Sequence, residues 1–133
     1  MKIQEKVVAE VVKEASIKMS DPRYAQTLVG SWVQQQPNTT QYMSAHAREL
    51  GGAEGVVGAA FHCGLMATCF QRQGGRSLRK LTFEDLDGVS SWDREAELKR
   101  RQPAIFDYLV ANVEHVEMRR MLMLIGLGMD LVS

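Results

Sequence analysis

What this 133-residue sequence most lacks is strand pattern. No stretch alternates apolar and polar residues for long. No Asn-Gly or Asp-Gly pair stands between β-rich runs, and Asp87-Gly88 sits inside helical spacing. A sheet is therefore excluded as the organising layer. Cysteine is scarce, with Cys63 and Cys69 alone and no Cys-x-x-Cys, so neither a disulfide scaffold nor a zinc ribbon is encoded. Excess charge is missing too, because 16 Lys and Arg balance 16 Asp and Glu. A neutral chain has no field to gather nucleic acid, and Arg76, Arg79 and Lys80 are too few to supply one. No nucleic-acid partner is expected. There is no P-loop, no Gly-x-Ser-x-Gly and no His-Glu-x-x-His.

Long uncharged runs are also few. The opening MKIQEKVVAEVVKEA is charged every few residues and has no secretory apolar core. The central run from Gly55 to Gln71 contains His62 and several glycines, and reads as short of a membrane span. The run from Met121 to Val132 is shorter and carries Asp130. The expectation is a cytoplasmic protein with no membrane partner, whose cysteines stay reduced. In that setting Asn38-Thr39-Thr40 is a helix cap and not a glycan acceptor.

What remains is helix. Ile3, Val7, Val8, Val11, Val12, Ala15 and Met19 form one apolar stripe, with Glu5, Lys6, Glu10, Lys13 and Glu14 outside it. Asp21-Pro22 starts a second helix that runs to Gln36 before Pro37. A third ends at Gly51-Gly52. A long apolar one covers 53–73 and closes at Gly74-Gly75. Residues 74–81 read as a connector. Thr82 then caps a short helix whose first turn holds Glu84 and Asp85. Later helices begin at Ser91 or Asp93, at Ala104 and at Glu117. The fold class predicted is all-α: one domain, 1–133, a bundle of six to seven helices.

An internal echo runs through it. QPNTTQYMSAHAREL from Gln36 and QPAIFDYLVANVEHV from Gln102 both read Gln-Pro, four residues, then Tyr. A shift of 66 residues sets Met43 on Leu109, Ala45 on Ala111, and Val56, Ala59 and Phe61 on Leu122, Ile125 and Leu127. The apolar register suggests two three-helix units, 21–66 and 87–132, about a pseudo-twofold axis. Proline ends one helix and aims the next. Tyr42 or Tyr108 lands one turn inside, where its ring packs and its hydroxyl stays wet.

AAFHCGLMATCF, residues 59–70, holds the residues with most chemistry. Helical geometry scatters them. His62 and Cys63 diverge by about 100°, while His62 and Cys69 share a line but lie ~10 Å apart, far beyond one zinc ion's reach. Cys63 and Cys69 cannot form a disulfide. No metal site or cofactor is assigned, and both cysteines are expected in the core. His62 stays open. It lines up with Gly55, Gly58 and Met66, and those glycines allow either a close backbone or a small ligand.

Two functions from different classes follow. The first is a noncatalytic interaction or scaffold module acting as a homodimer. In it the overly apolar last helix supplies Met121, Leu124, Ile125 and Met129 to the interface, and a further protein partner is also compatible. The second is a ligand-binding bundle holding a small apolar molecule, haem or metal near His62, with Met66, His46 and Gly58 around it. An enzyme would need His46 or His62 to meet Glu84, Asp85 and Asp87 in one cleft.

Overall fold

The computed structural model describes residues 1–133 and contains nine helices and no strand. They are α1 (Glu5–Lys18), α2 (Tyr24–Gln35), α3 (Pro37–Ala45), α4 (Ala47–Leu50), α5 (Ala53–Gly74), α6 (Phe83–Ser90), α7 (Arg94–Arg101), α8 (Pro103–Asn112) and α9 (Val116–Val132). The predicted class stands, and the expected count of six to seven is too low. One cause is a break at His46, where φ −108° and ψ 21° divide the expected third helix into α3 and α4.

Local chemistry sets the helix ends. Thr82 accepts from the Asp85 N–H while the Asp85 carboxylate accepts from the Thr82 N–H, a reciprocal capping box. Asp93 caps α7 through the Ala96 N–H. Pro37 and Pro103 occupy first positions, where no amide hydrogen is needed. Gly51 and Gly75 close α4 and α5 with φ of 96° and 73°, a region that glycine enters freely.

α5 and α9 pack against each other at the centre. α1, α2, α3 and α4 lie on α5, and α6, α7 and α8 lie on α9. α1 also touches α8, and α6 touches α3. α5 has the length and apolarity of a membrane span, beyond what the sequence reading allowed it; here it is a half-buried core helix.

The burial of α9 corrects one expectation. Met121, Leu124, Ile125 and Met129 belong to the chain's own core, together with Leu122, Met123 and Leu127. α9 is apolar nearly all round because α4, α5, α6, α7 and α8 all cover it. Leu124, Ile125 and Met129 are wholly enclosed, and Met121 shows only an edge to the cleft beside His46, so the four do not form an interface.

Two extended segments, 1–4 and 79–82, are pinned by buried glutamines. Gln102 accepts from the Ile3 N–H at 2.9 Å and donates to the Met1 carbonyl at 2.6 Å. Gln36 accepts from the Leu81 N–H at 2.8 Å and donates to the Arg79 carbonyl at 3.0 Å.

Candidate functional site

His62 has a partner. Its Nδ1 lies 2.7 Å from the Tyr108 hydroxyl, which α8 carries from the far half of the chain. The ring is half-buried, edge-on to Phe61 and to Tyr108, and Phe61 is in turn edge-on to Tyr24. Burial pushes the His62 pKa below its ordinary value of 6.5 and holds the Tyr108 hydroxyl protonated. Both groups are therefore neutral near pH 7, a satisfied pair and not an activated one. From sequence, Tyr108 is expected only to pack its ring and keep its hydroxyl wet. Nothing local links it to a histidine 46 residues away.

A pH dependence follows from this pair. The unfolded chain takes up a proton at His62 near pH 6.5, and the folded chain resists it. Stability is therefore complete above that pH and declines as the pH falls below it. In urea titrations at pH 7.5 and 5.0 the parent's midpoint should fall with acidification, and His62→Gln should flatten that fall. The carboxylates with depressed pKa, Glu14, Glu97 and Asp85 (the last at about 2), lose their contribution only in more acid solution.

The cysteines are core. Cys63 packs its sulfur 4.0 Å from that of Met43. Burial raises both thiols, Cys69 to about 12, with Arg72 opposing the shift there. Neither supplies a thiolate near neutral pH.

The other residues named around His62 do not gather there. Met66 is buried, with its sulfur near Gly126 at the α5–α9 contact. Gly58 faces the Met118 methyl group, and Gly55 sits against the backbone carbonyl of Leu50. The α5 glycines thus admit neighbouring protein. His46 lines a separate cleft of about 270 Å³ with Tyr42, Glu49, Leu50, Arg94, Glu117, Arg120 and Met121. Its Nδ1 is 2.9 Å from the Tyr42 carbonyl, an acceptor, so Nδ1 carries the hydrogen. Asp85 is occupied by Thr82 and by a two-pronged pair with Arg79, while Glu84 and Asp87 point to solvent. The carboxylate trio shares no cleft with His46 and makes no bond to His62.

One open feature remains beside the His62–Tyr108 pair. α1 and α8 enclose a groove of about 450 Å³, lined by Val8, Ala9, Val12, Ala104, Tyr108 and Asn112. Glu5, Lys13 and Asp107 form its charged rim. The chain matches no known family model, no curated protein and no solved structure. The groove, into which Tyr108 of the pair projects as a lining residue, therefore carries the functional reading.

Proposed function

We propose that the protein is a noncatalytic, cytoplasmic interaction module that pairs with a second copy of itself through the α1–α8 groove. The observation that carries this reading is the character of the groove. Its floor is apolar, and its rim is acidic at Glu5 on α1 and Asp107 on α8 and basic at Lys13, eight residues along α1 from Glu5. A copy laid antiparallel across it sets Lys13 of each chain against Glu5 of the other, the self-complementary arrangement that a twofold contact demands.

The test is oligomeric state by native mass spectrometry and light scattering across concentration. The parent should dimerise. Lys13→Glu should weaken the dimer about tenfold, the effect of losing two exposed ion pairs worth somewhat under 1 kcal/mol each. Lys13→Glu combined with Glu5→Lys should restore it. A parent that stays monomeric at several hundred micromolar (roughly the upper end for weak association) refutes self-pairing.

A further inference from the structure

We infer that Gln36 and Gln102 are two copies of one segment-recognition site, each reading an extended Lys-(Ile/Leu) segment supplied by the other half of the chain. On this view the molecule is a fused dimer whose halves have exchanged their leading straps.

The straps themselves correspond. Met1-Lys2-Ile3-Gln4 and Arg79-Lys80-Leu81-Thr82 share a lysine, then a buried branched aliphatic residue, then an extended N-cap. The caps have φ −72°, ψ 144° and φ −101°, ψ 164°. Each glutamine directly precedes a proline that opens a helix. The two have nearly one backbone conformation, φ −130°, ψ 64° and φ −138°, ψ 70°. Each side-chain amide accepts from the N–H of one strap residue and donates to the carbonyl two residues earlier. That is the pairing one residue of an adjacent strand would make with its own N–H and C=O, so the site reads backbone, while the Ile3 or Leu81 side chain reads shape.

The correspondence extends past the clamps. A shift of 78 residues takes Ile3, Val8 and Val11 to Leu81, Leu86 and Val89, all buried. From Trp32 onward the shift is 66. It takes Trp32, Met43, Ala59 and Cys63 to Leu98, Leu109, Ile125 and Met129, again all buried. The shift changes between Val11 and Trp32, where α1 and α2 have 14 and 12 residues and α6 and α7 have 8 each. His46 and Asn112 fall on each other, and both bond the carbonyl of the matching tyrosine, Tyr42 and Tyr108, at 2.9 and 2.8 Å. Helix neighbours obey the same exchange: α1 rests on α5 and α8, and α6 rests on α9 and α3. The halves have diverged elsewhere, since Leu131 is exposed where Leu65 is buried and Gly128 stands where His62 does.

The exchange is reciprocal. The first half's strap is held by Gln102 of the second, and the second half's strap by Gln36 of the first. Swapping an identical element between protomers is a low-cost route to a dimer, and end-to-end fusion would preserve it. The last residue of one half and the first of the other would then be neighbours, and Met1 and Ser133 do line one cavity with Gly74 and Leu78.

A circular permutant tests the equivalence. Ser133 is joined to Met1 through a linker copying residues 75–78, and the chain is opened between Gly75 and Arg76. The permutant should unfold cooperatively within about 5 °C of the parent. Its amides at Ile3 and Leu81 should keep hydrogen-exchange protection to within about tenfold. A folded permutant whose Ile3 amide exchanges freely overturns the inference. Should the permutant not fold, a graft decides. Ile3→Leu with Gln4→Thr puts the second strap into the first clamp, and protection at residue 3 should again hold to within about tenfold, a larger loss overturning the proposal.

Discussion

Gly55→Ala should destabilise the protein by about 3 kcal/mol, the upper part of the range for forcing atoms into a packed site. A Cβ at this position would overlap the backbone carbonyl of Leu50, well inside contact distance. The obstacle is main chain at the end of α4, so no rotamer change relieves it. Relief requires α4 to move off α5, and α4 also packs on α9. In a domain of this size the loss corresponds to a melting temperature lower by roughly 10 °C. Helix propensity pushes the other way, since alanine is favoured over glycine in a helix interior by up to about 1 kcal/mol. Gly30→Ala and Gly88→Ala isolate that term. Both glycines are helical, with nothing within 4 Å of the added carbon, and both variants should be neutral or more stable. Thermal melts of the three variants therefore should differ in sign. A Gly55→Ala variant as stable as Gly30→Ala would mean that the α4–α5 joint is loose.

The helices were legible because each rests on its own neighbours in sequence. The stripe of Val7, Val8, Val11 and Ala15 is the buried face of α1, and Thr82 caps α6 as its spacing requires. The break at His46 was not legible, because α3 and α4 share one apolar register and the kink lies in backbone angles alone. The excess apolar surface of α9 is legible, but it points equally to a second molecule or to the chain's own core, and the core takes it. Composition shows that a helix must be covered but not by what, and here α5 covers it from within the chain. His62 could be singled out, yet its partner could not. A hydrogen bond spanning 46 residues leaves no periodic trace. The glutamines were hidden in plain view. Gln-Pro was read for its proline, whose effect is local, while the amide acts on straps 45 and 99 residues away. Segments of four residues have no period to detect. Only the coincidence of a polar residue ahead of both prolines pointed at them.

Gln102→Leu should cost about 3 kcal/mol, because it removes three hydrogen bonds from a fully buried side chain and leaves the buried Ile3 N–H without its acceptor. The Gln102 side chain is fully buried and serves the Ile3 N–H, the Met1 carbonyl and, at 2.8 Å, the Asp130 carboxylate. Leucine fills similar volume, so the loss reports the polar contacts and not a cavity. Gln36→Leu removes two contacts where Gln102→Leu removes three, and the Leu81 carbonyl keeps its bond from Asn38. Its effect should be smaller, about 2 kcal/mol. Gln102→Glu separates donor from acceptor. Its carboxylate still accepts from the Ile3 N–H but can no longer donate, and it faces Asp130. Like charges and burial both favour the protonated acid there, which can donate again. The variant's folded-state pKa is thus raised, so its deficit relative to the parent should be largest at neutral pH and shrink as the pH falls. That trend is opposite in sign to the His62 effect, which acts on parent and variant alike. Chemical denaturation of both proteins at pH 7.5 and 5.0 measures it as a difference. A deficit that does not shrink would show that the donated bond to Met1 contributes little, and that the clamp holds its strap through the Ile3 side chain.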